Sequence, residues 1–225
     1  AYSGLTASTA DALLAEFNGW PGLDYKTVPG MANIDRGRSQ IASAFLERSA
    51  EETGDVLLMV DSDTGWQLGD LAHIASKALE MRAVVGGVYA KRVFNQGLAM
   101  RIRFPGEHSM GGDRLISCEY VGTGFIAIPR VILEALRDTL PCCQGGLYPF
   151  FMPFVIERNG ELEYPTDDVA FCARVREAGF EVFASTKPTL THEGSYCYRV
   201  QDGYVSPPPT TEMTITFTGA ALVKA

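Results

Sequence analysis

The chain has no excess of basic charge. Its 19 lysines and arginines stand against 27 aspartates and glutamates, a formal net charge of -8 with pI ≈ 4.9. Nucleic acid or an anionic membrane needs a basic face, so nonspecific binding to either is disfavoured. Apolar runs long enough to span a bilayer are also missing, and Ala1 to Ala12 has neither the basic start nor the apolar core of a signal peptide. The five cysteines (Cys118, Cys142, Cys143, Cys172, Cys197) form no C-x-x-C pair and no regular framework. An odd count without a framework reads as reduced thiols, which sets the expected location as cytoplasmic. Histidine is scarce, with three in the chain.

What remains is the composition of a folded protein. Of 225 residues, 46% are hydrophobic and 20% charged, enough for one sizeable α/β domain with a small appendage. An acidic protein of this kind can still hold a phosphate-rich ligand if a metal and local basic residues offset the charge.

The most informative stretch is Val56-Leu57-Leu58-Met59-Val60 followed by Asp61-Ser62-Asp63. Five apolar residues are too few for a buried helix and predict a strand buried on both faces. Two carboxylates one residue apart then stand at its carboxyl end, where open α/β sheets bind ligands. They repel each other unless a cation offsets them, and a divalent ion carrying a phosphate is the simplest such partner. The plain alternative is a turn or helix cap, and the motif by itself divides evenly between the two.

Around this stretch the spacing predicts helices over Ala7 to Phe17, capped by Ser8 or Thr9, and over Ile34 to Glu52, capped by Asp35 and ended by Gly54. A short strand is expected over Tyr25 to Val28. A helix from about Gly69 to Arg82 and a strand over Ala83 to Tyr89 complete a strand–helix–strand unit of the parallel type. Phe94 to Val121 reads as antiparallel strands around a Gly111-Gly112-Asp113 turn. Phe125 to Ile128 is a strand, and Pro129 opens a helix. Pro141 to Pro153 is a long loop, Asp167 to Ala178 a helix closed by Gly179, and Phe180 to Ala184 a last buried strand. The expected division is a folded body over residues 1–199 and an extended Pro- and Thr-rich tail over 200–225.

Three further features carry chemistry. Asp167-Asp168 follows Pro165-Thr166 and opens a helix. Helix-terminus electrostatics accounts for one such carboxylate better than for two, and a carboxylate held there can serve as a general base. His192, in Leu190-Thr191-His192-Glu193-Gly194, stands at a strand's end, where a neutral imidazole can join a metal shell; a structural role competes with that. Lys91-Arg92 follows the strand ending at Tyr89 and is either a phosphate contact, with Lys91 the candidate, or a solvated pair.

Taken in order, these stretches resemble the GT-A glycosyltransferases, closest to compact family-2-like enzymes of phages and bacteria. The likeness rests on Gly54-Asp55-Val56-Leu57-Leu58-Met59-Val60-Asp61-Ser62-Asp63, Val121-Gly122-Thr123-Gly124-Phe125, Asp167-Asp168-Val169-Ala170-Phe171-Cys172 and His192-Glu193-Gly194. It covers most of residues 1–195. The resemblance implies a Rossmann-like, mostly parallel mixed sheet flanked by helices, and transfer of a sugar from a nucleoside diphosphate sugar to a hydroxyl acceptor (glycan, protein or lipid-linked), with inversion. It implies that Asp61, Asp63 and His192 hold Mn²⁺ or Mg²⁺, that Asp168, or failing it Asp167, is the base, and that Arg38 lies near the nucleotide. Solvated helix charge is the competing account of Arg36 and Arg38. Gly122, Thr123 and Gly124 would shape the acceptor side, against the alternative of an ordinary turn. The aromatic loop Leu147 to Met152 would close over a substrate, or else be an apolar plug or a contact between copies in a homo-oligomer.

The chain departs from the family twice. Asp167-Asp168 stands where the family usually has Glu-Asp. The chain also begins at Ala1-Tyr2-Ser3-Gly4, as though the family's first apolar strand and its base-binding loop were cut away. Two other readings stay open. One is a haloacid-dehalogenase-type phosphatase with Asp61 as nucleophile, although its expected Thr spacing is replaced by Thr64-Gly65. The other is a catalytically silent nucleotide-sugar-binding module.

Overall fold

A computed structural model of the chain describes residues 5–20, 23, 26, 33–94, 96–104, 106, 112–158, 160–194 and 196–204. The elements follow in order as α1 (Ala7–Gly19), α2 (Ile34–Glu47), α3 (Ala50–Thr53), β1 (Val56–Val60), β2 (Thr64–Gly65), α4 (Asp70–Met81), β3 (Val84–Gly87), β4 (Met100–Ile102) and β5 (Leu115–Val121). Then come β6 (Phe125–Pro129), α5 (Arg130–Arg137), β7 (Ile156–Arg158), β8 (Glu161–Glu163), α6 (Asp167–Glu177), β9 (Val182–Ser185), β10 (Thr191–Glu193), β11 (Cys197–Tyr198) and a 3-10 turn over Val200–Gly203. The strand expected over Tyr25 to Val28 (apart from Lys26, which is in no strand), Gly111 of the expected turn, and residues 205–225 of the expected tail lie outside the described residues.

Six strands form the main sheet in the order β1-β6-β3-β9-β5-β4. The fold is α/β, but the expectation of a mostly parallel sheet fails. Only β3 and β9 pair in parallel, whereas β1–β6, β6–β3, β5–β9 and β4–β5 are antiparallel. The reason is an insertion. β1 and β3 do run the same way, joined through α4, yet β6 runs between them in the opposite direction.

That insertion also corrects the reading of β1 as buried on both faces. It is the terminal strand of the sheet, and only Met59 among its five residues is fully buried. Like β3 beside it, β6 is buried on both faces, with all five residues buried. Its alternation feeds two cores, as a period of two requires. Ile126 and Ile128 join Phe45, Leu133 and Phe171 in one. Phe125 and Ala127 join Leu13, Leu71 and Ile74 in the other. Helices α2, α5 and α6 therefore lie on one face of the sheet, and α1 and α4 on the other.

Two expected elements end differently. The helix from Ile34 does not continue to Glu52: Asn33, not Asp35, is its N-cap, and it stops at Glu47. Ser49 starts α3 through a capping box with Glu52. Arg130 gathers the acceptors freed by this break, donating to the carbonyls of Phe45 and Gly54 and to the Thr53 hydroxyl. The aromatic loop is a plug rather than a lid. Phe150 and Phe151 are fully buried, Phe151 stacks on Phe171 at 4.3 Å between centroids, and the loop's backbone is fastened to Ser39 and Ser43 of α2.

Helix α1 fixes the loop that leaves β1. Thr6 is its N-cap, and the Thr6 backbone N–H donates to the Ser62 carbonyl at 2.8 Å. The buried Thr9 hydroxyl donates to the carbonyls of Ser62 and Thr64 at 3.1 and 2.8 Å. Farther along, buried Glu16 accepts from the Gly69 and Leu71 amides and so caps α4. Removing the Thr9 hydroxyl leaves buried acceptors without their donor, which typically costs about 1–3 kcal/mol. Thr9→Val, which keeps the shape, is therefore expected to lower stability by about that amount in urea unfolding; no change would show that the loop is not held from α1.

Candidate functional site

Asp61 and Asp63 leave the carboxyl end of β1 on a tight turn, closed by the Thr64 N–H donating to the Asp61 carbonyl. The Asp61 N–H donates to the Gly124 carbonyl at 2.9 Å, so the turn beyond β1 stays bonded to the start of β6. The two carboxylates then part. Asp61 meets Arg38, whose Nη2 donates to both carboxylate oxygens at 2.8 and 2.9 Å. Asp63 meets Arg92, with Nη1 to Oδ2 at 2.6 Å.

Arg38 is no solvated helix charge. Its side chain is only 12% exposed, and its second terminal nitrogen, Nη1, donates to Asp167 Oδ2. Arg36, by contrast, is exposed. Burial pulls the Arg38 pKa down, but the two carboxylates outweigh it and the net direction is upward. At Asp167 burial is the largest influence and the charge of Asp168 adds to it, so its carboxyl is raised above 3.8 despite Arg38.

Asp168 faces a different environment from its neighbour. Its Oδ1 accepts from the Thr166 hydroxyl and from the Val169 N–H. No donor among the described residues reaches its Oδ2. Tyr89 stands between these groups. Burial pushes its phenol pKa up, Asp61 adds to the shift, Arg38 partly opposes it, and the charge of Asp168 contributes as well.

The expected glycines serve Tyr89. The Gly124 N–H donates to its hydroxyl at 3.0 Å. A Cβ on Gly122 would stand 2.2 Å from that oxygen, so no larger residue fits there. A Cβ on Gly124 would lie 2.9 Å from it and 3.1 Å from Asp61 Oδ2. Thr123 is buried, and its hydroxyl has no partner among the described residues.

His192 comes from β10, paired with β2 just beyond Asp63. Its Nδ1–H donates to the Ala90 carbonyl at 3.0 Å, which leaves the Nε2 lone pair free. Nε2 lies 3.8 Å from Asp63 Oδ1. Two ligands each about 2.1 Å from one ion can be up to roughly 4.2 Å apart, and a backbone-anchored imidazole is the usual form of a ligating histidine. Asp63 and His192 thus suit a divalent cation. Asp61 is engaged by Arg38 instead, and no cluster of three His, Cys, Asp or Glu ligands exists among the described residues. A cation held by these two side chains would need oxygen ligands from elsewhere, such as phosphate or water.

Lys91 is exposed and makes no ion pair among the described residues; its backbone N–H bonds the Gly97 carbonyl. Its neighbour Arg92 is the basic residue at the site. Tyr89 and Thr166 were missed as site residues by sequence reasoning, and Arg92 was read only as a member of the Lys91-Arg92 pair, with Lys91 preferred. Arg92 had a signal, since it adjoins Lys91 after a strand, but nothing local chooses between adjacent cations. The cysteines lie apart from this chemistry. All five are free, and burial pushes the Cys118 and Cys172 thiols up to about 12.

No protein-family model matches the chain, and no curated protein does. A solved structure described as A197 from STIV is 17% identical, covering 89% of this chain and 87% of that one at a TM-score of 0.59. This chain shares that overall fold. The apo form of UDP-glucose pyrophosphorylase is 12% identical over 75% of this chain and 57% of that one, with a TM-score of 0.39. Among the described residues, no helix is long and apolar enough to cross a membrane.

The Asp167 shift has a measurable sign. The folded chain holds this proton more tightly than the unfolded one, so the group destabilises the fold increasingly as pH rises from 3.8 through its raised value. Asparagine does not titrate. In urea unfolding, the stability of Asp167→Asn relative to the parent should rise with pH over that interval; a falling difference contradicts the assignment.

Proposed function

We propose that this chain is a metal-dependent glycosyltransferase that moves a sugar from a nucleoside diphosphate sugar to a hydroxyl acceptor with inversion. The observation that carries the reading is the pairing of Asp63 with His192, whose ring is turned by the Ala90 carbonyl so that its free nitrogen faces the carboxylate. Asp63 and His192 would hold Mn²⁺ or Mg²⁺, which when bound stabilises the negative charge growing on the departing diphosphate.

The remaining steps belong to side chains. Arg38 ties Asp61 at the end of β1 to Asp167 at the start of α6, and so sets the distance between the leaving-group side and the base. Asp168 is the base. Thr166 and Val169 fix its Oδ1, and the open Oδ2 takes the acceptor's hydroxyl proton as the oxygen attacks the anomeric carbon. A single displacement of this kind inverts the centre. The acceptor is a hydroxyl of a glycan, a protein or a lipid-linked sugar. A phosphatase using Asp61 as nucleophile is less well supported, because Arg38 engages both oxygens of that carboxylate.

Incubation with Mn²⁺ and a panel of UDP-, GDP- and TDP-sugars tests the reading. Transfer or donor hydrolysis is the expected result, phosphate release from simple monoesters would favour the phosphatase, and binding without turnover a silent module. Asp63→Ala should abolish Mn²⁺ binding and turnover while the circular dichroism spectrum is unchanged; a variant that still binds and turns over ends the metal assignment. Asp168→Asn should lower turnover by about 10²–10⁴-fold with Mn²⁺ and donor affinities intact. Undiminished turnover there would overturn the base.

A further inference from the structure

The two arginines at the site are held in different ways. Arg38 is 12% exposed and shared between two carboxylates. Arg92 is 45% exposed and, among the described residues, makes one ion pair, to Asp63 Oδ2. The first is a fixed part of the framework, and the second can exchange.

The position of Arg92 is nevertheless built. Its stem lies over Gly194, where an added Cβ would come within 3.3 Å of Arg92 Cδ. Arg92 also follows within two residues of Ala90, whose carbonyl orients His192. One short segment therefore sets both the ligand and its competitor. Asp63 divides accordingly, with Oδ2 towards Arg92 and Oδ1 towards His192.

We infer that Arg92 neutralises Asp63 when no ligand is present and passes to the donor's diphosphate once a divalent cation takes that carboxylate. This rests on the glycosyltransferase reading given above. An exposed ion pair is weak and yields readily to a divalent ion. The released guanidinium keeps a planar fork of donors that matches phosphate oxygens, and it needs no long movement to reach a diphosphate bound at Asp63. Arg92 is thus a positioning residue that couples metal entry to phosphate capture. Each event then favours the other, since the cation frees the arginine and the phosphate keeps it away from Asp63.

The coupling predicts opposite effects from a single substitution. Calorimetric titration of the whole chain with Mn²⁺ alone, and of the Mn²⁺-saturated chain with inorganic pyrophosphate, reads both. Arg92→Gln removes the competitor and should tighten Mn²⁺ binding by about two- to fivefold, the range expected for an exposed pair. The same variant should weaken pyrophosphate binding by roughly tenfold or more, as loss of a charge-assisted phosphate contact does. Arg92→Lys keeps the charge without the fork and should fall between parent and Arg92→Gln for pyrophosphate. Arg36→Gln, the same charge change on the exposed face of α2, should alter neither affinity. Unchanged or weaker Mn²⁺ binding in Arg92→Gln, or unchanged pyrophosphate binding, overturns the exchange while leaving the metal site standing. Failure of the parent chain to bind Mn²⁺ overturns the metal site and the exchange together.

Discussion

The Arg38 guanidinium joins the polar ends of three elements that share one apolar core. It leaves α2, bonds both oxygens of Asp61 beyond β1, and reaches Asp167 at the first turn of α6. A shielded arginine without carboxylates would be costly, and two carboxylates this close, Asp61 half-exposed and Asp167 largely shielded, repel each other without a cation. Together they satisfy one another, and the geometry of the whole site follows. With Asp61 and Asp167 committed to Arg38, Asp63 and Asp168 are the members of each pair that Arg38 does not engage.

The rest of the fold holds that arrangement in place from several sides. Helix α1 grips the turn between the two aspartates through Thr6 and Thr9. The plug around Phe150 and Phe151 fastens α2 at Ser39 and Ser43, close to Arg38, and stacks on α6 through Phe171. Tyr89 fills the centre, with Gly122 and Gly124 cut back to admit it. A rigid scaffold under a polar site is what lets two neighbouring carboxylates differ in role. Asp167 and Asp168 differ in surroundings in this way, since one is largely shielded against an arginine and the other has an oxygen with no donor among the described residues.

Much of this was legible locally. The five-residue apolar run before Asp61 reads as a strand without any tertiary information, and Gly54 and Gly179 take the positive φ values expected after a helix. The helix from Asp167 and the strand from Phe125 are likewise written in short-range periodicity. What misled was burial inferred from hydrophobicity alone. β1 is apolar enough for a central strand and lies at the sheet's end, because β6 takes the central place from 65 or more residues downstream. The aromatic loop stayed open between lid and plug for a related reason. Phe150 and Phe151 look the same in sequence whether they cover a substrate or fill a core.

By itself, then, the sequence determined most of the longer helices and strands and the placing of Asp61, Asp63, Asp167 and Asp168 at their ends, since turns and periodicity act over a few residues. It did not show the break at Glu47, the caps at Thr6 and Asn33, or His192 inside a short strand. Only the tertiary structure decided which charge answers which. Arg38 lies 23 residues from Asp61 and 129 from Asp167, and Arg92 lies 29 from Asp63. Coulomb attraction depends on distance in space, and the chain path that sets those distances comes from packing two cores against one sheet. Adjacent residues such as Lys91 and Arg92 are equivalent in charge until the backbone turns one towards a carboxylate and the other towards solvent.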